Sequence, residues 1–189
     1  MTEENTQSTL TFPERSHRST DKVFTWDEVR ALLDKETMRR AEYIARILEA
    51  LREEYGDRVL SIAKQAIYNI GYDKGAKRAE LVANQGQAND LNSLAKLVSH
   101  DMAQLYLGNE VEVVENRMVV RETYCPLPRM WKEMGFPDEQ IVGYCLLFDQ
   151  VDKGMVEGYN QKYEAMLTGC RDLALLGFCQ MVVQVKDKE

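Results

Sequence analysis

Val29, Leu33, Thr37, Ile44, Leu48, Leu51 and Tyr55 recur at helical spacing, while Glu and Arg fill the opposite face. Just upstream, Thr25-Trp26-Asp27-Glu28 has the S/T-x-x-E form in which two orphan N–H groups are satisfied reciprocally, and Phe24 can staple the chain onto the first turn. The pattern predicts a long amphipathic helix stopped by Gly56. A second helix is predicted with Asp57 as its N-cap, carrying Leu60, Ala63, Ile67, Ile70 and Ala79. Gly71, Gly75 and Ala79 make a stripe of small residues along it. Each glycine weakens a helix interior by about 1 kcal/mol relative to alanine, so the pair calls for the close approach of another backbone or of a ligand; helix crossing is the simpler account. A third helix is expected from about Asp90 to Leu107, ending at Gly108.

The period then shortens to two. Val111 and Val113, then Met118, Val120 and Tyr124, alternate on two segments separated around Glu115-Asn116-Arg117, which reads as a hairpin. Cys125-Pro126-Leu127-Pro128 ends the second strand, because neither proline donates to a ladder, and a short helix from Arg129 to Met134 is expected to follow. Helical spacing returns from Asp138 to about Glu157, where Gly158-Tyr159-Asn160 breaks it. Tyr163–Thr168 and Phe178–Val185 read as two further strands. The expected fold is therefore α+β, a helical N-terminal half packed on a small antiparallel sheet formed by the C-terminal half.

Composition bounds what such a fold does. The chain of 189 residues supports one ordinary core, so residues 23–189 are expected to form a single domain. Residues 1–22, polar and poor in large apolar groups, are expected to be a flexible tail. The excess of 31 acidic over 24 basic residues, net charge -7, argues against nucleic acid as a partner. Met1 to Thr20 lacks the apolar core of a secretion signal and no run reaches a membrane span, so the expectation is a cytoplasmic protein with no membrane partner. In that compartment Cys125, Cys145, Cys170 and Cys179 are expected to be reduced, leaving burial, metal binding or catalysis as their uses.

Chemistry concentrates late in the chain. Cys145, Asp149 and Asp152, at i, i+4 and i+7, place a thiol and two carboxylates along one stripe of a helix whose Leu146, Leu147, Phe148 and Val151 face a core. Taken alone, the stripe also reads as a structural cysteine beside two solvated aspartates. Glu122 and Tyr124 share a strand face with Val120, as pocket wall or plain core. His100, beside Asp101, is the one histidine outside the tail and could act as a base, though a lone helical histidine is more often a packing residue.

The run from Tyr124-Cys125-Pro126-Leu127 through Trp131 and Gly135 to Cys145, Asp149, Asp152 and Gly158-Tyr159-Asn160, with Gly177-Phe178-Cys179 before the last strand, resembles the L-2-amino-thiazoline-4-carboxylic acid hydrolase family. The chain departs from that pattern at Gln161, where a proline is expected, and at Leu173 to Leu176. The resemblance implies attack of water or a thiolate on the amidine-like carbon of a small cyclic substrate, with rupture of the ring C–S bond. It implies Cys145 or Cys125 as nucleophile or metal ligand and Asp149 as general base. Asp152, Tyr159 and Asn160 would then be the substrate-binding groups. More distantly, Thr168-Gly169-Cys170 followed by Gly177-Phe178-Cys179 resembles 4-vinyl reductase type ligand-binding domains. That likeness admits zinc as a cofactor on Cys125, Cys145 and Cys179, and a non-catalytic sensor or scaffold as the competing function. Leu167 stands where that pattern has a glutamate. The partner expected in either case is a small molecule, and a homo-oligomer is compatible with the sequence.

Overall fold

The computed structural model describes residues 24–99, 106–167 and 179–186. The tail, His100 and Cys170 lie outside them. Helix α1 (Trp26–Tyr55) begins on the anticipated capping box, with the Glu28 N–H donating to Thr25 Oγ1 at 3.3 Å and the Thr25 N–H donating to Glu28 Oε2 at 3.0 Å. It ends on Gly56 at φ 69°. Asp57, expected to cap the second helix, makes no cap bond. Its backbone is already helical, and its carboxylate accepts from Arg52 Nε at 2.6 Å. Helix α2 (Arg58–Asn84) then leads to α3 (Leu91–Ser99), the first part of the expected third helix. Asp90 caps α3 by accepting from the Ser93 N–H at 2.8 Å.

The hairpin forms as read: β1 (Asn109–Val114) and β2 (Arg117–Glu122) pair antiparallel around a turn in which Glu115 takes φ 53°. Helix α4 (Pro126–Glu133) starts earlier than expected. Proline in the first turn sacrifices no hydrogen bond and its fixed φ suits the helix, so the Cys-Pro-Leu-Pro segment opens the helix as well as closing the strand. The following helical stretch is divided by Asp149 into α5 (Asp138–Phe148) and α6 (Gln150–Tyr159), and Gly158 lies inside α6. The Asp149 N–H still donates to the Cys145 carbonyl at 2.8 Å, so the i, i+4 geometry survives the division. Strands β3 (Tyr163–Leu167) and β4 (Cys179–Val185) complete an antiparallel sheet ordered β1-β2-β4-β3. The architecture is α+β, as the sequence pattern anticipates.

Two hydrophobic cores fill the molecule. In the first, Val82, Leu94, Val98, Met155, Val156 and Tyr159 cover the inward face of the sheet, where Met118 and Val183 are fully buried. In the second, Ala41, Ala45 and Leu48 of α1 close over Trp131, Ile141, Tyr144 and Leu147. Buried Trp131 donates from Nε1 to the Ala41 carbonyl at 3.4 Å and lies against the rings of Tyr144 and Phe148.

Helices α2 and α6 bind the two cores together through glycine. A Cβ on Gly71 would run into the Val151 carbonyl, and one on Gly75 into that of Met155. Reciprocally, Gly154 and Gly158 lie against the carbonyls of Tyr68 and Tyr72. The small-residue stripe is thus a helix crossing, and Gly158 belongs to it instead of breaking the helix. Tyr68 and Glu157 fasten the crossing by a short hydrogen bond.

Candidate active site

The sheet register builds one wall of a site. Val113, Met118 and Val183 form a cross-strand row of inward-facing apolar side chains, and Val111, Val120 and Met181 form the next. One further step along the same face brings Asn109, Glu122 and Cys179 into register. The face therefore turns from apolar to polar at its end. Opposite it, the α5–α6 junction delivers Cys145, Asp149 and Asp152, the start of α4 delivers Cys125, and α2 delivers Lys74 and Arg78. These groups line a cavity of about 220 Å³, with Val98, Phe148, Met155 and Leu167 among its apolar walls. Residues of both cores border it, so the site sits on the seam between them.

Three carboxyl groups share this space, and all three are displaced toward neutrality. Burial pushes Asp149 up to about 7, the Asp152 charge adds to the shift, and Lys153 opposes it. Burial likewise raises Glu122 to about 7, reinforced by Asp152 and Asp149 and opposed by a hydrogen bond from Asn109. Asp152 is raised to about 6 by burial, with Arg78 and Lys74 pulling it back. Two acceptors in the cavity are buried and have no hydrogen-bond partner among the described residues: Asp149 Oδ2 and Asn109 Oδ1. Unmade bonds on buried polar atoms cost about 1–3 kcal/mol each, so this arrangement is one that a bound molecule would improve.

Cys125, Cys145 and Cys179 converge on this cavity as expected, but their chemistry differs from the expectation. Cys145 is disulfide-bonded, not a reduced thiol, and as such offers neither a nucleophile nor a metal ligand. Cys125 and Cys179 are not disulfide-bonded. Burial pushes the Cys125 thiol up to about 12; a hydrogen bond from the Leu127 N–H opposes the rise, and Glu122, Cys179 and Asp149 add smaller contributions to it. A thiol held protonated by burial is not an activated nucleophile. Among the described residues no group of three His, Cys, Asp or Glu side chains is placed to hold a metal ion.

Tyr159 and Asn160, expected to touch substrate, are not among the residues that line this cavity. The Tyr159 hydroxyl donates to the Asp90 carbonyl at 3.2 Å, and Asn160 Nδ2 donates to the Asn89 carbonyl at 2.8 Å, tying the end of α6 to the start of α3. Tyr124 also points away from the cavity: its hydroxyl and that of Tyr106 clasp Asp34 of α1 at 2.8 and 2.6 Å. Four groups that the sequence reading passed over or weighed lightly complete the site: Glu122, Asn109, Lys74 and Arg78.

Residues 36–171 match the family described as L-2-amino-thiazoline-4-carboxylic acid hydrolase. No individually curated protein matches the chain. Among solved structures, the chain is similar to a trafficking protein particle complex subunit 3 from Naegleria fowleri covalently bound to palmitic acid. The two share 15% identity over 82% of this chain and 98% of that one, with a TM-score of 0.50, a likeness of fold alone. None of the described helices is long and apolar enough to cross a membrane.

Proposed function

The chain belongs to the L-2-amino-thiazoline-4-carboxylic acid hydrolase family, and from that premise we propose that the seam cavity opens a small cyclic amidine of the thiazoline type by attack of water. The observation that carries this reading is Asp149: a buried carboxyl with one oxygen unpartnered and a pKa near 7, facing a cavity with two further acidic groups. A general base works best when its pKa lies near the operating pH.

In the proposed reaction Asp149 takes a proton from water as the oxygen bonds to the ring carbon between nitrogen and sulfur. The C–S bond then breaks, and sulfur receives a proton from Glu122, whose raised pKa keeps part of it protonated near neutral pH. The product is a carbamoyl group on nitrogen and a free thiol, the sum of substrate and one water. Asp152 faces the cationic amidine, and Lys74 and Arg78 supply the charge that a substrate carboxylate needs. Water is preferred to a thiolate because Cys125 stays protonated and Cys145 is already bonded. The palmitate of the trafficking subunit has no counterpart in this reading, since three carboxyl groups make a poor wall for an acyl chain.

The test is direct. Full-length protein incubated with L-2-amino-thiazoline-4-carboxylic acid should release one thiol per ring opened, detected with a chromogenic thiol reagent. If neither this compound nor related cyclic amidines yield thiol, while the protein still binds them, the site is a binding site and the hydrolytic reading is wrong.

A further inference from the structure

Helix α1 presents two faces. Ala41, Ala45 and Leu48 are buried against the second core. About a quarter turn away, Tyr43, Ile44, Ile47, Leu51 and Tyr55 form a second apolar stripe that none of the described residues covers: Tyr43 is 56% exposed, Ile47 58% and Tyr55 66%. Ile44, Ile47 and Leu51 are spaced three and four apart, and the same alternation extended outward falls on Arg40 at one end and Glu54 at the other. That is the spacing of a coiled-coil seam, closed by opposite charges. Arg40 and Glu54 are exposed and make no ion pair among the described residues, although Arg39, Arg46 and Arg52 on the same helix all do.

The arrangement is self-complementary. Turned about a two-fold axis at Ile47, a second α1 runs antiparallel to the first. Ile47 then meets its own copy, Tyr43 lies over Leu51 of the other copy, and Arg40 of each faces Glu54 of the other. A parallel pair would set Arg40 against Arg40 and Glu54 against Glu54. We propose that α1 is a homodimer interface, an antiparallel helix pair centred on Ile47 and locked by two symmetric Arg40–Glu54 contacts. A same-chain partner fits because the stripe carries both halves of its own charge pattern, and isologous pairing uses one patch twice. The interface lies about a quarter turn around α1 from the face that covers Trp131, and none of its residues lines the cavity.

Sedimentation of the full-length protein at about 50 µM should show a dimer. Ile47→Glu should be monomeric, with an unchanged helical circular dichroism spectrum because the position is exposed in the single chain. Arg40→Glu should weaken dimerisation about three- to tenfold, and Arg40→Glu with Glu54→Arg should restore it. A wild-type monomer would leave the stripe for another occupant and overturn the proposal. So would an Ile47→Glu variant that still dimerises, or a charge-swapped double variant that stays weak.

Discussion

Helix α6 has two sides that obey different rules. Toward α2 it presents Gly154 and Gly158, sunk against carbonyls with no room for a methyl group, and the crossing is held by the Tyr68–Glu157 hydrogen bond. Toward the sheet, the same helix and the residue that precedes it present Asp149 and Asp152 to a cavity in which buried acceptors go unpaired and three carboxyl groups are forced toward neutrality. One side is as close as two backbones can come; the other holds polar groups in a state that the fold alone does not reward. Local violations of packing and pairing rules mark function when everything around them is satisfied. The contrast predicts that substitutions on the two sides will separate activity from stability.

The largest effect is expected on the cavity side, from Asp149→Asn. The amide keeps the shape and removes the base, so turnover should fall by about 10² to 10⁴-fold. The fold should survive, because the native carboxyl has an unpartnered buried oxygen and loses little by being replaced. Turnover and thermal midpoint must be measured on the same preparation. Full activity would remove Asp149 from the chemistry, and a collapsed fold would make it a structural residue.

On the α2 side the prediction is reversed. Gly75→Val places a branched side chain where Met155 offers only its backbone carbonyl, which forces the helices apart. The expected loss is about 3 kcal/mol, the upper end for overpacking, or roughly 6 to 12 °C in midpoint for a chain of this size. Since α6 also carries Asp152, activity should fall in parallel with structure and return on cooling, unlike the flat loss in Asp149→Asn. A Gly75→Val protein with the native midpoint would show that the crossing is looser than its geometry implies.

Why was one side readable in the sequence and the other only partly so? Glycines at 71 and 75 announce close approach because nothing else in a helix explains them, and the capping box at Thr25 and the alternation at Val111–Val120 are local signals of the same kind. Asp57 misled because a good capping residue type says nothing about whether its own backbone is already helical. The site is non-local. Cys145, Asp149 and Asp152 were visible as a stripe, but the disulfide state of Cys145 and the acidity around Cys125 depend on which elements meet. Glu122 is legible in the strand period: Met118, Val120 and Glu122 alternate, so a carboxyl sits on the face that buries Met118 completely. Lys74 and Arg78 were legible only in retrospect, as the residues three beyond Gly71 and Gly75 on the helix that meets Asp152. Tyr159 and Asn160 carry the resemblance but lie outside the cavity lining, with their bonds going to the start of α3.

Glu122→Gln sharpens the comparison through pH. The folded pKa of Glu122 is raised to about 7 from an ordinary value near 4.5, so the folded state holds the proton more tightly than the unfolded chain. The stability this confers is fully present below the unfolded value and is lost as pH rises through about 7. Glutamine does not titrate and loses nothing over that interval, and its Nε2 can also donate to Asn109 Oδ1, the other unpartnered acceptor. Relative to wild type, the variant should therefore be more stable at pH 8, by on the order of 1 kcal/mol, with the advantage shrinking toward pH 5. Turnover should lose its alkaline decline, since the proton donor to sulfur is gone, and fall to a lower plateau. An advantage that grows toward acid pH would have the wrong sign and would show that Glu122 is ionised in the folded protein.

The smallest effect is expected from Cys125→Ser, and it separates water from thiolate attack. Cys125 is the residue before α4, with extended backbone at φ −143° and ψ 123°, the conformation of an N-cap, where its sulfur offers only a weak acceptor to the Leu127 N–H. Serine is among the best N-cap residues, so the substitution should leave stability unchanged or raise it by about 0.5 kcal/mol. Its hydroxyl is far less nucleophilic than a thiolate, so an enzyme that used Cys125 to attack the ring would lose activity by at least about 10²-fold. With the thiol already held protonated by burial and by Glu122 and Asp149, the sulfur contributes only volume to the cavity wall, and turnover should stay within about threefold of wild type. The same variant tested at pH 9 tightens the discrimination. A thiolate mechanism would make wild type gain on Cys125→Ser as pH rises, whereas water activated by Asp149 gives both proteins the same profile.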